Sequence, residues 1–269
     1  MPELPEVETI RFGLESLIGK KVTKIFRSNK KLRIESALNL KDLEGSKINS
    51  IDRRARYLII NFNNKKSLVI HLGMSGRLVF SDDFSGKHNH FIMEFNQGPS
   101  LIFNDPRRFG FIDLVETNSL QNHKSLANLG PEPLSPEFNA KYLAKKLSNK
   151  KMNIKTTMMD NEIVVGVGNI YISESLFDAK ISPLRSASLL TIDEIKKLTN
   201  SIKKILKKAI EAGGSSISDY VKSDGEIGNF QNNFNVYGRE GKKCLLCKNL
   251  IRKIVQNGRS SFYCQQCQE

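Results

Sequence analysis

Apolar residues recur at helical spacing near the start of the chain, where Val7, Ile10, Leu14, Leu17 and Ile18 fall on one face. Pro5 suits a first turn and Gly19 a stop, so this stretch predicts one amphipathic helix. From Lys21 to about Glu116 the pattern changes. Short β-rich runs at 22–27, 57–62, 67–71, 77–80, 91–95, 101–104 and 109–115 are separated by polar or Gly-containing turns such as Asn96-Gln97-Gly98-Pro99. That pattern predicts a sandwich of antiparallel strands. After Gly130-Pro131-Glu132-Pro133 the texture becomes helical, with helices expected at 136–148 and from Gly168-Asn169 onward. The clearest helix opens with a capping box, Thr191-x-x-Glu194. It runs through Ile195, Leu198, Ile202, Ile205, Leu206, Ala209 and Ile210, and stops at Gly213-Gly214. The polar stretch 218–238 that follows is too long for an ordinary connection and is expected to be a mobile loop.

No apolar run nears the roughly 18 residues a membrane helix needs. Met1-Pro2-Glu3 opens no secretory signal, so the cytoplasm is the expected compartment. Charge adds a partner. The chain carries 42 Lys and Arg against 28 Asp and Glu, a formal net charge of +14. The excess is spread over both halves, and the stretch from Lys141 to Lys155 contains lysines but no acid. A polyanion fits, because each phosphate neutralised releases a counterion. A lysine-rich proteome would give the same balance with no such partner.

The 4 cysteines all lie near the end, as Cys244-x2-Cys247 and Cys264-x2-Cys267. Two such knuckles separated by a hairpin-length segment match a four-thiolate zinc site. Two disulfides are the alternative, and a reducing compartment argues against them. The segment 236–269 is too short to build a core unaided, so its folding is expected to need the metal. It is also strongly basic, with Arg239, Lys242, Lys243, Lys248, Arg252, Lys253 and Arg259 against two acids.

The first six residues hold a possible nucleophile. Removal of Met1 would expose the secondary amine of Pro2. An α-amine has a reference pKa of about 8, so a useful neutral fraction exists near pH 7 and could attack an electrophilic carbon. Glu3 and Glu6 stand close by as proton donor and electrostatic partner. A plain helix start, with Glu6 favouring the macrodipole, accounts for the same residues.

Five segments in order then carry a resemblance: Met1-Pro2-Glu3-Leu4-Pro5-Glu6-Val7-Glu8-Thr9, His71-Leu72-Gly73-Met74-Ser75-Gly76, Asp105-Pro106-Arg107-Arg108-Phe109-Gly110, Leu129-Gly130-Pro131-Glu132-Pro133, and Val165-Gly166-Val167-Gly168-Asn169-Ile170-Tyr171. With the four-cysteine finger, they resemble the bacterial formamidopyrimidine-DNA glycosylases, which are also 8-oxoguanine DNA glycosylases and abasic-site lyases. The resemblance implies an α+β fold: an N-terminal antiparallel β-sandwich domain (1–130), a helical domain with a helix–two-turns–helix motif and a lesion-capping loop (131–235), and a β-hairpin zinc finger (236–269). It implies one structural zinc ion on Cys244, Cys247, Cys264 and Cys267. The partner would be double-stranded DNA carrying oxidised purines, met by a monomer in the nucleoid region of the cytoplasm.

The family chemistry maps onto single positions. Pro2 resembles the nucleophile that attacks C1′, and Glu3 the acid/base of sugar ring opening. Arg259 resembles the residue that binds phosphate and assists the later elimination. Met74, Arg107 and Phe109 resemble the trio that fills the hole left by an extruded nucleotide. His71, His88, Lys150 and Asn169 resemble further DNA contacts, Asn169 at a helix start where an anion is favoured. The stretch 218–235, with Gly225 and Gly228, resembles the segment that closes over the extruded base and is expected to be mobile without a lesion.

Two positions depart from the family pattern. Arg53-Arg54-Ala55-Arg56-Tyr57-Leu58 has Arg56 where the family usually has a catalytic Lys. Arg keeps a phosphate contact but does not deprotonate, which puts proton transfer there in doubt. Lys87-His88-Asn89-His90 has Asn where the family usually has Asp between the histidines; with no third ligand evident, a metal site there is not expected, and a strand facing DNA is. A related endonuclease VIII-like enzyme, preferring oxidised pyrimidines, would usually begin Pro-Glu-Gly-Pro; Leu4 favours the purine branch. A non-catalytic DNA-binding homologue is the competing class, with Arg56 as its best support. A dinucleotide-binding enzyme is a poorer fit, because Gly166-x-Gly168 lacks a third glycine.

Overall fold

In the computed structural model, residues 1–215 and 228–269 are described. They divide into two compact units, Met1–Ala127 with Gly213–Asn229, and Asn128–Ala212 with Phe230–Glu269.

The first unit opens with α1 (Leu4–Leu14) and a short 3-10 turn (Glu15–Leu17). Val7, Ile10, Leu14 and Leu17 are buried as their spacing predicts, but Ile18 is 46% exposed. Ile18 follows the 3-10 turn with extended backbone (φ -60°, ψ 130°), so it no longer continues the helical face. Among the described residues two four-stranded antiparallel sheets follow, in the orders β1-β6-β7-β5 and β2-β3-β4-β8. Their strands are β1 (Val22–Arg27), β2 (Ile48–Arg54), β3 (Tyr57–Phe62), β4 (Lys66–His71), β5 (Arg77–Phe80), β6 (Asn89–Phe95), β7 (Leu101–Asn104) and β8 (Phe111–Glu116). Alternate residues of both sheets enter one core: Phe91, Met93, Leu101 and Phe103 from one, Leu58, Ile60, Leu68, Ile70, Ile112 and Leu114 from the other. That shared core makes the unit a sandwich.

The strand β2 is missing from the sequence reading. Its buried residues Ile48 and Ile51 are three apart because the register slips between Ile48 and Ser50, and the bulge breaks the alternation. At the other end of the sheet, the run expected from Phe109 begins at Phe111, leaving Phe109 and Gly110 in the preceding loop. The ends of the long segment after Gly213 meet: Ser215 and Asn229 pair as an isolated bridge. Residues 216–227, most of the expected lesion-capping stretch, lie outside the described residues.

The second unit contains α2 (Ala140–Leu147), α3 (Ile154–Met158), α4 (Asn169–Asp178), α5 (Ile192–Glu211) and the hairpin β9 (Arg252–Gln256) and β10 (Arg259–Tyr263). The capping box of α5 is present, Thr191 with Glu194, and its predicted apolar face is buried apart from the partly buried Ile210. Between α3 and α4 the chain turns at Asp160, whose carbonyl accepts from the Ile163 and Val164 N–H groups, and again at Gly166 with φ 73°. The helix expected at 136–148 starts only at Ala140, because the Asn139 side chain accepts from the Tyr142 N–H and caps it there. No helix among the described residues is long and apolar enough to cross a membrane.

Candidate functional site

In the first unit the N-terminus is fixed by local capping. Glu3 is the N-cap of α1, and its N–H donates to Glu6 Oε2 at 2.9 Å. Glu6 is buried, and its other oxygen accepts from the N–H and hydroxyl of Ser215 at 2.8 and 2.9 Å. The first three residues are thereby held to a defined path: Met1 is exposed, while Pro2 and Glu3 are buried.

The β2–β3 turn comes to the same place. Ala55 takes a positive φ of 54°, and Arg53 holds the turn by donating to the Ala55 carbonyl at 3.0 Å and to Glu8 at 2.5 Å. Burial pushes the Glu8 carboxyl up, but the Arg53 and Arg11 guanidinium groups more than offset it and hold Glu8 below the ordinary carboxylate range. Past this turn Arg56 reaches the chain start, with Nη1 4.0 Å from Met1 Sδ.

His71 closes β4. Its Nδ1 accepts the Gly73 N–H at 3.1 Å, and its ring lies 5.0 Å from Tyr57 and 5.7 Å from Phe111. Burial first, and then the positive Arg33 and Arg56, push the imidazole from 6.5 to about 4, with Asp105 pulling weakly the other way. It is therefore neutral at pH 7, with Nε2 carrying the proton. Between pH 6.5 and about 4 the unfolded chain binds more protons, so stability falls as pH drops through that window and is intact above it. At about 1.4 kcal/mol per pKa unit, this is worth roughly 3 kcal/mol. Urea midpoints should fall from about pH 7 to about pH 4.5, and less steeply in His71→Asn; parallel profiles would refute the assignment.

Two loops present Met74, Arg107 and Phe109. Met74 and Phe109 are 44% and 46% exposed, unlike the core they would join as ordinary apolar residues. The Arg107 guanidinium carbon sits 4.8 Å from the Phe109 ring centroid. His88 lies just before β6 and its carbonyl accepts the Asp105 N–H at 3.0 Å. His90 does not face outward as its strand was expected to: it is buried, with Nδ1 on Ser28 Oγ and Nε2 on the Asp105 carbonyl, both at 3.0 Å. With both ring nitrogens so engaged it offers no metal ligand.

In the second unit Asn169 begins α4, and its Nδ2 donates to the Ser260 carbonyl at 3.0 Å. The same carbonyl accepts Lys155 Nζ at 2.9 Å, which also donates to Ser261 Oγ at 2.7 Å. Lys155 is 1% exposed, with these two acceptors at this end of the hairpin. Arg259 follows a two-residue turn, Asn257-Gly258, with both φ values positive (49° and 72°), the Asn-Gly geometry that suits a tight hairpin. Arg259 is exposed, as is Lys150 beyond the end of α2. Glu174 of α4 is buried and its carboxylate accepts N–H groups from Asn235, Val236 and Tyr237 at 2.9 to 3.0 Å.

The four cysteines converge. Their sulfurs lie within 4.8 Å of one another, with Cys244–Cys267 at 3.9 Å and Cys247–Cys264 at 3.4 Å. Tetrahedral zinc with Zn–S near 2.3 Å requires sulfur separations of about 3.8 Å, so the cluster fits one ion. The thiols also differ in acidity. The Asn249 backbone N–H leads in drawing Cys247 down, while burial and the neighbouring sulfurs push Cys267 up. A divalent cation removes that conflict by taking all four as thiolates.

The structure brings the predicted Arg56 to the chain start with Pro2 and Glu3, sets Met74 on one loop and Arg107 with Phe109 on a second, and places Asn169 beside the hairpin that carries Arg259. Sequence reasoning missed Asp105, Lys155 and Glu174 as buried charges. Asp105 stood inside a motif already singled out, and Lys155 was one of a run of lysines with nothing to set it apart.

The comparisons with known proteins agree along the chain. Residues 1–112 match the family model of the formamidopyrimidine-DNA glycosylase N-terminal domain, 129–221 that of the H2TH domain of the same family, and 241–269 a zinc finger found in FPG and IleRS. A formamidopyrimidine-DNA glycosylase of Wolbachia pipientis (strain wPip) is 48% identical, with 100% of each chain covered. One from Legionella pneumophila (strain Lens) is 48% identical over 100% of this chain and 98% of its own. Among solved structures, a point mutant of the Lactococcus lactis FPG in complex with a Fapy-dG containing DNA matches with TM-score 0.92 and 38% identity over all of both chains.

Proposed function

This chain belongs to the formamidopyrimidine-DNA glycosylase family, and on that premise we propose how its own residues perform excision of oxidised purines from duplex DNA. It is a base-excision-repair glycosylase with abasic-site lyase activity, and its finger carries one structural zinc ion.

A damaged base inside a duplex cannot be reached, so its nucleotide is rotated out of the stack. Met74 and Phe109 enter the vacated space, and Arg107 offers its fork of donors to the orphaned cytosine. His71, His88, Lys150 and Asn169 hold the strand. His71 does so as a neutral N–H donor; Lys150 contributes charge, and Asn169 acts at the positive end of the α4 dipole. The trimmed amine of Pro2 attacks C1′. The glycosidic bond breaks with its electron pair leaving on the base, which takes up a proton; the C1′–O4′ bond then breaks with its pair going to a protonated O4′, and an iminium joins protein to sugar. Glu3 shuttles protons as the sugar ring opens. Loss of the 3′ and then the 5′ phosphate by elimination, helped by Arg259, leaves a one-nucleoside gap, and water releases the enzyme. The segments 1–130, 131–235 and 236–269 divide this work into catalysis, helical DNA binding with the capping loop, and the finger. Such an enzyme works with the nucleoid of the cytoplasm.

The observation that best supports this reading is the convergence at the chain start: Glu3 capped into α1, Pro2 leading it, and Arg56 brought beside Met1. A nicking assay tests it. Duplex with 8-oxoguanine opposite cytosine should be cut faster than duplex with thymine glycol; the reverse order would assign a pyrimidine enzyme.

Arg56 supplies a second prediction. A guanidinium can hold a phosphate but not exchange a proton near neutral pH. Base release should therefore proceed while elimination lags. Arg56→Lys should raise strand cleavage relative to base release, read as separate product bands with and without alkali. No change in either rate would remove Arg56 from the catalytic set.

A further inference from the structure

Exposed loops that must wedge into a base stack face an entropic difficulty. Fixing a residue's backbone costs conformational entropy, and a mobile wedge meets that cost on the DNA. The loops of Met74 and of Arg107 and Phe109 are instead joined before DNA arrives, and the joint is Asp105. Asp105 is fully buried. Its Oδ1 accepts the Ser75 hydroxyl at 2.6 Å and the Arg107 N–H at 3.3 Å, and its Oδ2 accepts the Gly110 N–H at 2.8 Å. The Arg107 N–H also points to Ser75 Oγ at 3.2 Å. Ser75 stands between Met74 and Gly76, so one hydroxyl ties the methionine's loop to the arginine's.

Backbone contact reinforces the tie. Gly73 has φ 64°, and a Cβ there would stand 2.4 Å from the Gly110 nitrogen and 2.5 Å from the Phe109 carbonyl carbon. The two loops thus touch main chain to main chain. Arg108, with φ 56°, holds a conformation that non-glycine residues rarely adopt, and its N–H closes on the Asp105 carbonyl at 3.2 Å.

We propose that Asp105 and Ser75 are positioning residues that clasp the two loops into one preformed wedge, fixing where Arg107 meets the base opposite the lesion. The inference rests on the reading that Met74, Arg107 and Phe109 fill the hole. The carboxylate touches no substrate; it sets the direction of three side chains that do. Because Arg107 reads the opposite base, loss of the clasp should appear as lost discrimination rather than as lost chemistry.

The test uses the full chain in single-turnover excision of 8-oxoguanine opposite cytosine and opposite adenine, with 2-aminopurine beside the lesion reporting unstacking. Ser75→Ala, at a partly exposed position, should lower the cytosine-over-adenine ratio about tenfold, the scale of one misplaced base contact. It should also weaken the 2-aminopurine signal, while borohydride trapping on a preformed abasic site in single-stranded DNA stays at the unaltered level. Ser75→Thr, which keeps the hydroxyl, should retain the ratio. Asp105→Asn turns a donor toward an N–H and should behave as Ser75→Ala or worse. A Ser75→Ala enzyme with the ratio and signal intact, when Arg107→Ala has lost both, would overturn the clasp and leave the wedge standing. Arg107→Ala and Phe109→Ala without effect would overturn the wedge reading, and the clasp with it.

Discussion

Chain from which Met1 has been trimmed should become covalently bound to 8-oxoguanine duplex under borohydride, and chain that retains Met1 should give no adduct above background. The difference is categorical because the nucleophile is a single nitrogen. With Met1 present, the Pro2 nitrogen is a tertiary amide with no basic lone pair. Trimming makes it a secondary amine of reference pKa about 8, so roughly a tenth is neutral at pH 7 and the fraction rises with pH. A lysine of pKa about 10.4 would be roughly two hundredfold less available. The structure adds placement: α1 starts at Leu4, Glu3 caps it, and Glu6 is fastened to Ser215, so the amine is carried on a short anchored lead. Adduct formation should accelerate from about pH 6 toward 8. Glu3→Gln should slow turnover by about 10²–10⁴-fold, the usual range for a lost acid/base, with folding unaffected. Mass spectrometry of the adduct locates the bond. Attachment at any lysine, with Pro2 unmodified, would overturn the assignment.

Much of this site could be read from the sequence, and what could not be read has a common physical cause. The β-rich apolar pattern placed the strands 57–62 and 91–95, most of whose residues are buried. It failed at β2, where a bulge shifts the period, and at Phe109, where Phe-Gly-Phe looks like a continuing strand. There Gly110 permits a close approach in which a Cβ would be 2.5 Å from the His71 carbonyl oxygen, and the chain leaves the sheet. The cysteines were legible because spacing alone brings knuckles to a metal. Asp105 and Lys155 were not, because a buried charge is defined by its partners, and these include Ser75, 30 residues from Asp105, and Ser260 and Ser261, 105 and 106 residues from Lys155. A lysine buried on a hairpin carbonyl and a lysine on the surface look the same in sequence; only the fold separates them.

Stripping the zinc should abolish duplex incision while leaving Pro2 able to be trapped on a single-stranded abasic site. The finger's own cluster of buried residues is small: Phe177, Val236, Cys244, Ile251 and Cys264, two of them metal ligands. Several finger side chains are open to solvent, with Leu246 at 63% and Val255 at 70% exposed. Burial on that scale does not offset the ordering of some thirty residues, whereas thiolate–zinc binding contributes about 10–16 kcal/mol in comparable small modules. Loss of the ion should release the hairpin that carries Arg259 and, with it, the Ser260 carbonyl that receives Lys155 and Asn169. Lys155 and Asn169 would lose these bonds to the hairpin, so the damage should spread to α3 and the start of α4. The sandwich core draws on none of these residues, and the amine chemistry it supports should persist. Chelation at raised temperature, with metal content followed by atomic absorption, provides the measurement, and Cys247→Ser a milder version of it. Full incision of the 8-oxoguanine duplex by metal-free protein would show that the hairpin holds its shape without the ion, and that its hydrogen bonds to Lys155 and Asn169 suffice.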